Sequence, residues 1–262
     1  DALAVDGTSV SVDVLRGKLE HAERSEGIEI GLRVLIGKRQ ACVSASDIST
    51  ATLEIMAERA VAMAREAPED PNIGLADPDM LVRDCDVARL DLVDDSPALS
   101  PADLQDMAAR AEAAALAVSG VSQVSAAGAG YGDRRVHLAA TNGFAGGYRR
   151  TGTSLSCVAI TGEGAKMERD YYGDSRIHRA DLDSPEDVGR IAGERTVARA
   201  GSTKPPPGAF PVIYDERVAG QLIGHLLSAV NGASVARGAT FLRDALGQQI
   251  LPAHLSLTED PT

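Results

Sequence analysis

Apolar and polar positions divide the chain into stretches of two different periods. In "TSVSVDVL", Val10, Val12 and Val14 share one face, the two-residue period of a half-buried strand. Arg16-Gly17 predicts a hairpin turn. A second alternation runs Ile28, Ile30, Leu32, Val34, Ile36, turns at Gly37-Lys38 and returns through Ala41, Val43 and Ala45. Four antiparallel strands are predicted in this block. The period then becomes helical: in "SDISTATLEIMAERAVAMAREAPED", Leu53, Met56, Ala60 and Met63 form a core stripe, and Pro68 marks the end.

Residues 69–99 are rich in Asp and Pro and read as a linker or lid. Asp84, Asp86, Asp91, Asp94 and Asp95 lack the spacing of a calcium loop and read as solvated surface. A helix starts at Ser100-Pro101, with Asp103 at its third position and Leu104, Met107, Ala111 and Ala115 as its buried stripe; Gly120 ends it. Several strands follow, with a hairpin at Asn142-Gly143, then a helix capped by Ser184 ahead of Pro185. "STKPPPGAF" is a stiff connector. Beyond it, "PVIYD" predicts a short buried strand and "ERVAGQLIGHLLSAV" a helix. The expected class is α+β: antiparallel sheets with packed helices in an N-terminal block (1–68) and a middle block (100–201). A linker (69–99) separates them, and a Pro-rich connector (202–210) leads to the start of a C-terminal domain (211–262).

Composition narrows the partners. A formal net charge of −12 lacks the basic footprint of a nucleic-acid binder. With 3% aromatic residues and no Trp, Ala, Val, Leu and Gly must fill the core. Cys42, Cys85 and Cys157 form no C-x-x-C pair, and an odd count points to a reducing cytoplasm. No apolar run has the length of a membrane span. The sequence begins without Met and stops at "LSLTEDPT", which suggests a fragment lacking most of its C-terminal domain.

Few motifs carry chemistry. "AGAGYGDRR" has glycines near a strand but no G-K-[ST], and reads as the turn of a hairpin. Ser154, Ser156 and Cys157 lie in a strand pattern without G-x-S-x-G, which gives no nucleophile. His137 and His178 could meet only through the fold. "KMERDYYGDSR" crowds charge and aromatics. Arg169, Tyr171, Tyr172 and Arg176 could form a peptide- or partner-binding rim, or decorate a charged edge strand that deters aggregation. In "AGQLIGHLLSAVNG", His225 has no second histidine one turn away and no acidic neighbour. It reads as a buried, hydrogen-bonded structural residue on a helix apolar nearly all round, with Gly220 and Gly224 permitting close approach of another backbone.

Six segments together resemble the TldD/PmbA family: "LRGKLEHAERSEG", "GLRVLIGKRQACVSASD", "AVAMAREAPEDPNIGLAD", "ATNGFAGGYRRTGTSLSCVAI", "MERDYYGDSR" and "DERVAGQLIGHLLSAVNGASVARGATFL". The branch resembled is PmbA, also called TldE. The resemblance implies a cytoplasmic heteromeric metalloprotease that degrades unfolded peptides and trims peptide-antibiotic precursors. TldD carries H-E-x-x-x-H on the matching helix, a spacing that sets the histidines about 140° apart on an ideal helix. Here those positions hold Gly224, His225 and Ala229. The resemblance therefore implies no catalytic residue, no metal ligand and no cofactor in this chain, with zinc on a TldD-like partner. It implies a TldD-like catalytic subunit and an extended or unfolded peptide as partners, with a homodimer as a further assembly and neither nucleic acid nor membrane contacted directly. The alternatives are an autonomous metallopeptidase with ligands in the missing C-terminal part, and a regulatory protein-binding factor of the DNA gyrase modulator type.

Overall fold

A computed structural model describes residues 1–83 and 86–258; Asp84, Cys85 and residues 259–262 lie outside it. Two compact units divide it at Thr203/Lys204, inside "STKPPPGAF". The first unit is built on β1 (Ala2–Leu15), β2 (Lys18–Ile36), β3 (Arg39–Ala45), β4 (Val121–Ala139), β5 (Ala145–Thr161) and β6 (Glu168–Arg176). They form one curled sheet in the order β3-β2-β1-β4-β5-β6, every neighbour antiparallel. α1 (Thr50–Glu66) packs on β2 and β3, and α2 (Pro101–Leu116) and α3 (Pro185–Ala198) pack on the other strands. The fold is α+β, as expected. The sheet runs unbroken through residues 1–68 and 100–201, because β1 pairs with β4 from Ala2↔Ala139 to Val14↔Ala127.

The first block has three strands rather than four. β2 is continuous over 19 residues, and its polar start, "KLEHAERSEG", is an exposed arm paired with β1. The run is polar on both faces because both meet solvent, which hides a strand from a periodicity argument. The turn at Arg16-Gly17 is as predicted, with φ of 56° and 68°, the left-handed pair a type I′ turn requires. It is fixed from outside: Glu112 of α2, 3% exposed, accepts from Arg16 N at 2.5 Å and Gly17 N at 2.6 Å.

"AGAGYGDRR" is not a turn; it is the middle of β4. Gly128, Gly130 and Gly132 alternate on one face, where a Cβ at Gly128 would stand 2.5 Å from Asp13 Oδ1. The real turn follows, with Gly143 N donating to Ala140 O at 3.1 Å and Ala140 N to Phe144 O at 2.8 Å.

The core beneath α2 and α3 is built from small side chains: Val10, Val12, Val14, Leu104, Ala108, Ala111, Ala115, Ala127, Ala129, Leu155 and Ala192. Ser100 and Asp103 close a full capping box at the start of α2, and Ser184 caps α3. α1 departs from expectation: its buried stripe is Met56, Ala60 and Ala64, while Leu53 and Met63 are exposed. The described parts of residues 69–99 are held at several points. Asp70 N donates to Lys38 O, Asn142 Nδ2 to Ala76 O, and Thr151 N to Leu92 O.

In the second unit, α4 (Glu216–Val230) is capped by Asp215 and followed by α5 (Gly232–Ala236). "PVIYD" forms no strand and is exposed, with Ile213 97% open; no strand lies beside it among the described residues. His225 is likewise exposed, not buried. Within this unit, α5 packs against α4, and the Thr240 hydroxyl donates to Ala229 O.

Candidate functional site

Strand alternation gives the sheet two faces of different chemistry. Val10, Val12 and Val14 face the helices. Residues one step out of phase form the open face, and their cross-strand rows can be read from the register. One row is Ser25, Ser9, Gly132, Gly152; the next is Gly27, Gly7, Arg134, Arg150. The sheet curls enough that Ser44 of β3 and Ser175 of β6 line the same 1170 Å³ groove. Its floor is glycine and serine, which exposes backbone; its charged groups include Arg134, Arg150 and Glu29. Sequence reasoning missed this groove. The signal is the alternation of Gly7, Ser9 and Ser11 on β1, Ser25 and Gly27 on β2, and Gly128, Gly130 and Gly132 on β4, letters that near "AGAGYGDRR" describe a turn equally well.

β6 is an edge strand of the sheet. It divides the four rim residues between the faces. Arg169 and Tyr171 stand on the open face and are exposed. Tyr172 faces the helices, where its hydroxyl donates to Asp183 Oδ2 at 2.7 Å and the Arg195 guanidinium lies 4.6 Å from its ring centre. The Asp183 carboxylate holds the phenol above its ordinary pKa. Arg176 bonds Asp174 at 3.1 Å. α3 covers part of the outer edge of β6: Asp170 N donates to Thr196 Oγ1, and Thr196 is fully buried.

The histidines go to separate places. His137 sits on β4 opposite Gly147, while His178 Nε2 lies 3.2 Å from Asp91 O and 3.2 Å from its carboxylate. The Asp91 carbonyl and charge raise the His178 pKa. Asp94 accepts from Ser96 and from Arg179 N, which lowers its pKa to about 2. Asp91 and Asp94 thus tie residues 91–96 to the turn after β6. Asp84 lies outside the described residues. Cys157 is buried, and burial pushes its thiol up to about 12, so it is no nucleophile; Cys42 is exposed.

On α4, Gly224 and His225 are exposed and Ala229 is buried. These three residues do not fit a metal, since only His225 offers a donor. Among the described residues, no group of three or more His, Cys, Asp or Glu side chains converges on a point. No described helix is long and apolar enough to cross a membrane.

A curled antiparallel sheet, helix-backed on one face and grooved on the other, defines the class: an α+β protein with an open sheet face. Three consecutive family domains match the sequence: the PmbA/TldA metallopeptidase domain 1 at residues 1–64, its central domain at 94–200 and its C-terminal domain at 207–262. The chain belongs to the PmbA/TldD metallopeptidase family. It is 34% identical over 255 residues to "Metalloprotease PmbA" of Escherichia coli O157:H7, covering 97% of this chain and 56% of that protein. The chain thus spans about half the length of the curated relatives it matches. Among solved structures, a candidate modulator of DNA gyrase from Bacteroides thetaiotaomicron aligns with a TM-score of 0.79 at 23% identity, covering 95% of this chain and 56% of that one. TldE from Thermococcus kodakarensis aligns with a TM-score of 0.71 at 17% identity, covering 93% and 54%. These two likenesses establish the fold.

Proposed function

We propose that this chain is a TldE/PmbA-like, non-catalytic subunit of a TldD/TldE-type metalloprotease, acting in the cytoplasm on unfolded peptides and peptide-antibiotic precursors. The observation that carries the reading is α4. Where the resembled motif needs His, Glu and His, the chain has Gly224, His225 and Ala229. His225 stands at the glutamate position, and imidazole there replaces neither a ligand nor a carboxylate base. Zinc and the catalytic glutamate then belong to a TldD-like partner. This chain contributes chamber wall and peptide-binding surface, for which the open sheet face is the available concavity. The acidic balance of the chain supports a peptide-handling role over direct contact with DNA.

The test is metal analysis of the purified protein, with cleavage of an unfolded peptide assayed for this protein, the TldD-like partner and both together. The expected outcome is cleavage with the partner present and no stoichiometric zinc on this protein alone. Stoichiometric zinc together with cleavage by this protein in isolation overturns the reading.

A further inference from the structure

Arg134 and Arg149 belong to a run of four arginines, two on each of two neighbouring strands, and the sheet sorts them by face. On the helix side, Arg149 grips Asp133 through two bonds of 2.9 and 2.7 Å, and Arg135 lies 4.0 Å from Asp6. On the groove side, Arg134 of β4 stands directly opposite Arg150 of β5. Both are exposed, and among the described residues neither has a carboxylate within salt-bridge distance. Like charges directly opposite in a sheet are destabilising. The chain carries 38 acidic residues against 26 basic ones, yet among the described residues none is set within ion-pairing distance of this pair. Of the groove carboxylates, Asp133 is bonded to Arg149, Asp181 follows β6, and Glu29 stands on β2 with β1 in between.

We infer that the groove holds an extended peptide by an acidic side chain received between Arg134 and Arg150. Two guanidinium groups on adjacent strands, roughly 5 Å apart at their backbones, can flank one carboxylate with charge-assisted bonds. The rest of their row is Gly27 and Gly7, and the row on one side is Ser25, Ser9, Gly132 and Gly152, a low floor; the row on the other side, Glu29, Val5, Val136 and Tyr148, carries longer side chains. A peptide crossing all six strands covers about 24 Å, or about seven extended residues. The pair sits on the fourth and fifth strands, within that span, where a side chain rather than a chain end arrives.

This inference rests on the proposed peptide-handling role for its occupant. It is tested by fluorescence anisotropy at low salt, using labelled, amidated heptapeptides with a central Glu or Gln. The Glu peptide binds about tenfold tighter. Arg134→Gln and Arg150→Gln each remove that preference without lowering the melting temperature, because a like-charge contact is relieved. Gly132→Leu blocks both peptides; a Cβ there meets nothing nearer than Thr8 O at 3.9 Å, and the backbone is not left-handed, so the fold accepts it. Equal affinity for the two peptides, or a preference surviving in both arginine variants, overturns the inference. A preference restored only by a free C-terminus, or tighter binding of a single-stranded oligonucleotide, overturns the assignment to a side chain. Charge discrimination without cleavage beside the TldD-like partner removes the subunit reading and leaves this one standing. Cleavage without discrimination does the reverse.

Discussion

α3 and α4 carry the same sequence signal and meet opposite surroundings. Each has two glycines one turn apart: Gly189 and Gly193 in α3, Gly220 and Gly224 in α4. In α3 the glycines are contact points. A Cβ on Gly189 would come within 2.0 Å of Ala111 O, and one on Gly193 within 2.8 Å of the Val118 side chain. In α4 a Cβ on either glycine meets nothing within 4 Å. Leu222, Ile223 and Leu227 of α4 are between 44% and 52% exposed, whereas Val188 and Ala192 of α3 are fully buried. A glycine pair therefore permits close approach without showing that a neighbour uses it. An apolar face this open suits contact with another surface.

The largest expected effect breaks the α3 side of this contrast. Gly189→Ala forces a methyl group into a backbone carbonyl that cannot swing away as a side chain would. It should destabilise the first unit by about 2–4 kcal/mol, overpacking outweighing the gain in helix propensity. Urea unfolding followed by circular dichroism measures it, and a neutral or stabilising result would mean that α2 and α3 are not in contact at this point.

Next comes the anchor that α2 gives to the hairpin. The Glu112 carboxylate accepts from two successive backbone N–H groups at the tip of β1 and β2. Glu112→Gln keeps the shape but replaces one acceptor oxygen with a donor that faces a donor. A cost of about 2–3 kcal/mol follows. Faster amide exchange at Arg16 and Gly17 should accompany the change, and an unchanged tip would show that the turn stands by its own geometry.

The sequence disclosed this layer better than the rest for a physical reason. Val10, Val12 and Val14 alternate because one side of β1 is dry, and Ser100 and Ser184 announce their helices through local caps. The pairing of β1 with β4 joins residues more than a hundred positions apart, and nothing local encodes it. The arm at residues 18–27 is wet on both sides and carries no period. The groove was hidden because Gly and Ser report a turn and an open sheet floor with the same letters. On α4, the family motif positions were legible at Gly224, His225 and Ala229, but the exposure of His225 was not. An apolar helix wheel reports what a helix can bury, not which unit supplies the cover.

A smaller effect of opposite sign sharpens the α4 side. Gly224→Ala adds a methyl group in open space and reduces the freedom of the unfolded chain. It should raise the stability of α4 by about 0.5–1 kcal/mol. Helical amide exchange in α4 measures it in the protein without partners. If the same change destabilises the protein only when the TldD-like partner is bound, α4 uses its glycine for close approach in the assembly.

The smallest effect concerns the strap that leads into α2. His178 is held by the Asp91 carbonyl and carboxylate, and both favour the charged ring, so its folded pKa lies above the ordinary 6.5. A raised histidine pKa stabilises in full below the unfolded value, and the contribution is lost as pH rises through the folded one. The strap at residues 91–96 should therefore loosen as pH rises through the raised His178 value. The Thr151 N–H, which donates to Leu92 O, reports this directly. After correction for intrinsic exchange, its protection should fall as pH rises through the raised value, while amides in α4 show no matching step. His178→Gln should abolish the step at Thr151. If the step persists in that variant, another group controls the strap.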